Sequence, residues 1–222
     1  VFFFSQFVAD SLYRSGKERR MGLDKLSDMD TPVFWTEGHP GKLVKENWKI
    51  EIAGLCDKPS VLTWQDLQKM PKSLANARLT SVTRWSVGGI WGGVRLSDIL
   101  DAVGASPKVQ FVRFWSHGKI YDTSIPVEIA RMERTLLAWE FDGEFLTEDY
   151  GGPVRAFVPY LWGYKSAKSV VKIELMDNYV PGYWEKRGYT DTAEILPGNV
   201  LDINTGKRRP IPGGEVTKFL DD

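Results

Sequence analysis

At 222 residues, with 42% hydrophobic and 26% charged side chains, the chain has the balance of one full-sized globular domain with a sizeable core. Lys+Arg 29 offset Asp+Glu 29, which excludes the basic footprint of a nucleic-acid binder or a polybasic membrane patch. The single cysteine, Cys56, excludes an internal disulfide, and two histidines without HExxH or CxxC spacing exclude a conventional His- or Cys-rich metal centre.

Residues 1–30 read as an N-terminal arm, with a short helix around 7–13 and the basic run Lys17-Glu18-Arg19-Arg20. Its apolar start, Val1-Phe2-Phe3-Phe4, is not a complete signal peptide. No run reaches the roughly 18 apolar residues needed to span a bilayer. The compartment, periplasm or cytoplasm, stays unassigned. The body begins near Thr31-Pro32, and alternation over residues 48–54 predicts a strand. Cys56 follows in a strand end running into a turn, as a small buried hydrophobe. Thr63 with Asp66 three residues later predicts a capped helix start. Strand character over 78–85 is followed by helical spacing over 97–103, closed by Gly104. Strands are predicted over 109–115, 136–141, 155–159 and 170–176, and a short helix over 126–132 with Pro126 at its start. The tail from Asn199, rich in Gly, Pro, Lys and Arg, is expected to wrap the surface. Short strands alternating with short helices, without long crossover helices, predict a mixed α+β domain. The nine tryptophans are chiefly packing residues, although those beside glycine pairs suit the wall of a flat-ligand pocket.

Three separated segments carry chemistry. The first is Phe34-Trp35-Thr36-Glu37-Gly38-His39-Pro40. The second is Leu79-Thr80-Ser81-Val82-Thr83-Arg84-Trp85-Ser86, continuing through Trp91, Gly93-Val94 and Leu96, with Ser116 some thirty-five residues on. The third is Tyr150-Gly151-Gly152-Pro153-Val154-Arg155, then Lys165-Ser166-Ala167-Lys168-Ser169. Cations, free backbone N–H groups and close-approach glycines suit an anionic ligand, and on that chemistry alone any phosphorylated ligand fits.

Over residues 32–189 these segments closely resemble the molybdopterin-binding core of the sulfite-oxidase-like oxidoreductases. The resemblance implies a mixed-sheet, single-domain α+β fold over 31–222, without the larger relatives' C-terminal immunoglobulin-like or haem domain. It implies molybdopterin with molybdenum, tungsten being equally open to the sequence, bound through His39, Ser116, Tyr150, Arg155, Ser166, Ala167 and Lys168. It places Ser81 at the metal, where the family has a cysteine, and Arg84 at the substrate. Relatives often have Arg and Asn where Glu37 and Gly38 stand, and Asn or His at Tyr150. The implied reaction moves an oxygen atom to or from a small sulfur-centred substrate of the sulfite or sulfoxide type. An external electron carrier, a cytochrome or quinone-linked protein, completes it. Relatives that oxidise sulfite gather several arginines, whereas only Arg84 and Arg95 are available here.

A serine hydroxyl is a harder and more weakly acidic donor than a thiol of pKa about 8.5. Ser81 therefore leaves three readings open: a Cys→Ser exchange that attenuates an enzyme, a natural oxygen-ligated variant, or a non-catalytic molybdopterin-binding or carrier protein. A generic anion-binding domain is the more distant alternative. Arg84, three residues on, has a second reading as the partner of a carboxylate such as Asp98.

Overall fold

The computed structural model describes residues 26–222, so the predicted helix at 7–13 and the basic run at 17–20 lie outside the described residues. Twelve strands form two sheets. The first has the order β2-β1-β10-β5-β6, built from β1 (Lys49–Gly54), β2 (Ser60–Thr63), β5 (Phe111–Ser116), β6 (Asp122–Pro126) and β10 (Val170–Met176). Its pairs are antiparallel except β1 with β10. The second runs β12-β11-β4-β7-β8, from β4 (Trp85–Arg95), β7 (Leu136–Phe141), β8 (Glu144–Phe145), β11 (Gly198–Asp202) and β12 (Lys207–Ile211). In it β3 (Ser73–Thr80) pairs with β4, and β9 (Arg155–Phe157) pairs with β7. Among the described residues three short α-helices, α1 (Trp64–Lys69), α2 (Leu96–Ala102) and α3 (Val127–Ala130), and five 3₁₀ turns complete the fold. The architecture is α+β, as predicted.

Where local chemistry is strong the expected elements stand. Thr63 Oγ1 accepts the Asp66 N–H at 3.2 Å while the Asp66 carboxylate accepts the Thr63 N–H at 3.0 Å, closing the capping box of α1. Gly104 ends α2 in the left-handed region at φ +64°. The 136–141 and 170–176 strands match their predicted bounds. Pro126 proves to be the N-cap of α3 rather than its first helical residue.

Period-2 alternation divides the core. Along β7, Leu137 and Trp139 join the cluster that fills the space to the first sheet, with Ile52, Val94, Ile99, Phe114 and Ile173. Leu136 and Ala138 join a second cluster with Leu26, Ala77, Trp91 and Phe157, and Phe141 joins them because a register shift opposite Gly92 and Gly93 breaks the alternation. Each fully buried Ile, Leu or Phe contributes roughly 1.5–3 kcal/mol. The glycines beside Trp91 serve this packing rather than a ligand pocket. A Cβ at Gly93 would lie 2.0 Å from the Leu137 carbonyl oxygen, and one at Gly89 would lie 2.2 Å from the Phe141 ring. Trp91 itself is buried and stacks on Phe157 at 4.3 Å.

Two expectations are corrected. The 78–85 segment is not one strand: β3 ends at Thr80 and β4 begins at Trp85, with a turn between. In that turn the Ser81 N–H donates to the Trp85 carbonyl and the Arg84 N–H to the Ser81 carbonyl, and Arg84 adopts φ +67°. The C-terminal tail does not simply wrap the surface, because β11 pairs with β4 at Leu201↔Trp85 and Asp202↔Ser86 and then turns back as β12. Past that pairing the Asn204 amide stands in for backbone, accepting the Gly88 N–H at 2.8 Å and donating to the Gly88 carbonyl at 2.7 Å.

Candidate functional site

The β3–β4 turn lifts Ser81 to the tip of a hairpin. Its Oγ lies 2.8 Å from Thr83 Oγ1 and accepts the Thr83 N–H at 3.2 Å. The C-terminal hairpin braces this tip: the Leu201 N–H donates to the Arg84 carbonyl at 2.9 Å, and Arg84 Nη1 donates to the Leu196 and Pro197 carbonyls at 3.2 and 3.3 Å. The Arg84 guanidinium lies over Trp162 at 5.2 Å. It pairs with carbonyls and, among the described residues, with no carboxylate, so the Asp98 pairing is not formed. Arg95 is held elsewhere, 3.6 Å from Glu133.

The third segment packs directly on this tip. A Cβ at Gly163 would sit 3.4 Å from the Thr80 carbonyl oxygen and 3.7 Å from Ser81 Cα. From there the chain passes through a 3₁₀ turn, Gly163–Lys165, into Ser166, Ala167 and Lys168. Ser166 Oγ accepts the Val158 N–H at 3.0 Å, and the Ala167 carbonyl accepts the Ala156 N–H at 2.8 Å. Buried Ser116, at the end of β5, donates its hydroxyl to the Lys168 carbonyl at 2.6 Å. Segments distant in sequence are thus drawn to one edge of the molecule.

Arg155 is the electrostatic anomaly. It is 3% exposed, and its nitrogens donate to the Tyr150, Ser166 and Ala156 carbonyls at 2.7, 3.0 and 3.4 Å. No carboxylate pairs with it among the described residues. Burial pushes its pKa down to about 10. Lys168 lies beside it, because a Cβ at Gly151 would meet Lys168 Cγ at 2.9 Å and Arg155 Cβ at 3.2 Å. Gly151 itself has φ +94°, so a side chain there is excluded both by space and by conformation. Lys168 donates to the Phe34 and Asp149 carbonyls at 2.9 and 2.5 Å and covers the Trp35 ring at 4.7 Å. Burial first, and the Arg155 charge second, lower its pKa to about 7, against the pull of Asp149.

Arg155 and Lys168 thus stand as two neighbouring cations, with no carboxylate on Arg155 among the described residues. A testable pH dependence follows. Above pH 7 the free Lys168 amine must take up a proton to meet an anion, so affinity for a phosphorylated pterin is expected to fall by up to about tenfold per pH unit. The phosphate is already a dianion there, with pKa about 6, and adds no slope of its own. Calorimetry in buffers of different ionisation enthalpy should find close to one proton taken up at pH 8 and little at pH 6. Lys168→Met should abolish the uptake.

The other expected ligands are placed differently. The Tyr150 ring belongs to the second core cluster and its hydroxyl donates to the Thr31 carbonyl at 3.3 Å, so its carbonyl, holding Arg155, is what it offers the site. His39 lies by the site with both nitrogens engaged: Nδ1 accepts the Gly41 N–H at 3.0 Å and Nε2 is 3.1 Å from Asp149 Oδ1. Its ring edge packs against Trp35 at 5.7 Å. Trp35, Trp162 and Gly163 fall within or beside the resembling segments but carry no assigned role from sequence, and nothing in the sequence marks Asp149. A cavity of about 390 Å³ lies elsewhere, bounded by Leu43, Lys45, Phe145, Glu148 and Pro153, and none of the expected ligands lines it. Among the described residues no group of three or more His, Cys, Asp or Glu side chains is placed to hold a metal.

A mixed two-sheet α+β domain is the architecture expected of a sulfite-oxidase-like molybdopterin-binding oxidoreductase. The chain belongs to the sulfite-oxidase-like molybdopterin-binding family: the Oxidoreductase molybdopterin binding domain matches residues 37–184. It is 31% identical over 159 residues to the uncharacterized oxidoreductase YuiH of Bacillus subtilis, covering 71% of this chain and 80% of that protein. It is 32% identical over 156 residues to the protein-methionine-sulfoxide reductase catalytic subunit MsrP of Campylobacter jejuni, covering 63% and 52%. Against the sulfite oxidase of Arabidopsis thaliana identity is 28% over 228 residues, covering 83% and 57%. The chain thus spans little more than half the length of the latter two. The sulfane dehydrogenase SoxCD of Paracoccus pantotrophus shares the fold, with a TM-score of 0.60 and 23% identity, covering 78% of this chain and 46% of that one. No helix among the described residues is long and apolar enough to cross a membrane.

Proposed function

We propose that this chain is a molybdenum-dependent oxidoreductase that moves an oxygen atom to or from a small sulfur-centred substrate, with sulfoxides favoured over sulfite. The observation that carries the reading is the unpaired Arg155 beside Lys168, in one cradle with the Gly163 turn that packs on Ser81. The residues fit the anionic end of a molybdopterin: Lys168 meets the phosphate, and the buried Arg155 behind it adds its charge. When bound, that cofactor supplies the two-electron oxygen-atom chemistry, and an external electron carrier completes the cycle. Arg84 commits only Nη1 to the protein, leaving Nε and Nη2 for a substrate oxygen. One guanidinium suits the single dipolar oxygen of a sulfoxide. A doubly charged sulfite calls for more, and Arg95 is turned to Glu133.

The second reading, a cofactor-binding or carrier protein without turnover, draws on the Ser81 hydroxyl being occupied by Thr83. Ser81→Cys separates the two. With molybdenum and pterin near one per chain, the thiol variant is expected to raise sulfoxide reduction with artificial electron donors by tenfold or more. No gain with either sulfoxides or sulfite, at full cofactor loading, would establish the carrier.

A further inference from the structure

Position 37, where the resemblance often places an arginine, holds a carboxylate in this chain, and its surroundings give that exchange a purpose. The Glu37 side chain is 1% exposed and accepts the N–H groups of Gly118, Ile120 and Tyr121 at 3.3, 3.1 and 3.0 Å. Its Oε1 also lies 3.0 Å from His117 Nδ1, though off the line of a good hydrogen bond. Glu37 thereby anchors the 117–121 turn and fixes the imidazole that follows Ser116. His117 meets Trp35 edge-to-face at 5.3 Å, and Trp35 in turn lies under the Lys168 ammonium at 4.7 Å. The cation missing at position 37 is replaced by an imidazole supplied from another strand end.

Two donors in this group are left without work inside the protein. Trp35 Nε1 is buried with no hydrogen-bond partner, a state that ordinarily costs about 1–3 kcal/mol and is rarely kept without a ligand. His117 Nε2 has no hydrogen-bond partner among the described residues, and Nδ1, buried 3.0 Å from Glu37 Oε1, makes no good hydrogen bond either. The only other histidine, His39, has both nitrogens engaged, by Gly41 and Asp149. The charged groups around Trp35 are therefore Lys168, the Glu37–His117 pair and the His39–Asp149 pair, with Arg155 behind Lys168.

Building on the molybdopterin reading, we infer that Trp35 Nε1 and His117 Nε2 are additional ligands for the cofactor's phosphate end, completing with Lys168 a cradle in which a Glu37-held imidazole replaces the expected arginine. A phosphate presents three acceptor oxygens, and an indole N–H, an imidazole N–H and an ammonium supply three donors of complementary type.

The test measures discrimination for phosphate rather than turnover. The oxidised, phosphorylated pterin released from the loaded protein, and its dephosphorylated form, are titrated by fluorescence against the stripped chain, and pterin content per chain is measured in protein purified with cofactor. The ratio of the two affinities is expected to fall at least fivefold in His117→Ala and about threefold in Trp35→Phe, which keeps the ring under Lys168. His117→Gln, whose amide nitrogen overlays Nε2, should recover most of the ratio, a rescue that mere loosening of the 117–121 turn would not allow. Ratios within twofold of wild type in both His117→Ala and Trp35→Phe, with Lys168→Ala strongly impaired, would overturn the inference and leave the cofactor reading intact. An unchanged ratio in Lys168→Ala as well would overturn both.

Discussion

Replacing Lys165 with methionine is expected to destabilise the protein by about 3–5 kcal/mol, the cost of breaking a buried ion pair from one side. Lys165 and Glu185 are both 0% exposed at their side chains and pair directly. The ammonium also donates to the Ser124 carbonyl at 2.8 Å, and the Glu185 carboxylate accepts the Thr123 hydroxyl at 2.8 Å. Burial lowers the Lys165 pKa, with the Glu185 charge opposing it. Glu185 already has one oxygen without a partner, so removing Lys165 leaves the carboxylate nearly bare in a dry interior. In a protein of this size the melting temperature should drop by roughly 6–20 °C. The double variant Lys165→Met/Glu185→Leu should recover most of the loss, because two well-packed apolar groups replace two desolvated charges. Thermal melts of the single and double variants measure both values, and a single-variant cost below about 1 kcal/mol would contradict the argument.

That pair also shows where the sequence was legible and where it was not. Two lysines three residues apart read as one anion-binding turn, and the resemblance singled out Lys168 together with the intervening backbone. Nothing local says that Lys165 points inward, because its partner is twenty residues on and its second acceptor forty-one residues back. The same holds for Glu37, whose Tyr121 contact spans 84 positions. Alternation and capping are local, so β7, β10 and the start of α1 were readable. The Ser81 turn was hidden because its left-handed residue is an arginine, with no Gly or Asn to mark it. The β11–β12 hairpin was hidden because an edge strand reading Lys-Arg-Arg-Pro-Ile has the composition of a loop. Arg155 and Lys168 were legible as candidate cofactor cations; the aromatic and carboxylate framework around them was not.

Arg155→Gln is expected to give the opposite energetic result to Lys165→Met, although both remove a buried cation. The guanidinium sits among carbonyls over Trp91 at 5.5 Å, and a pKa lowered from 12.5 to about 10 corresponds to roughly 3 kcal/mol of unfavourable burial. Because the charged form is the penalised one, the cost persists at every pH below about 10 and is relieved only above it. The substitution removes that cost. It also loses charge-assisted hydrogen bonds to two or three carbonyls, worth about 1.5–3 kcal/mol each, one of which the glutamine amide can restore. The sum is close to zero, so the cofactor-free variant should unfold within about 1 kcal/mol of wild type. Pterin content per chain should nevertheless drop tenfold or more, and the loaded protein should lose the added stability that a bound cofactor confers by mass action. Lys165 answers a carboxylate built into the chain, whereas on the proposed function Arg155 answers a charge that arrives from outside. Loss of several kcal/mol in the stripped protein with pterin content intact would make Arg155 a structural residue and remove the electrostatic basis for the site.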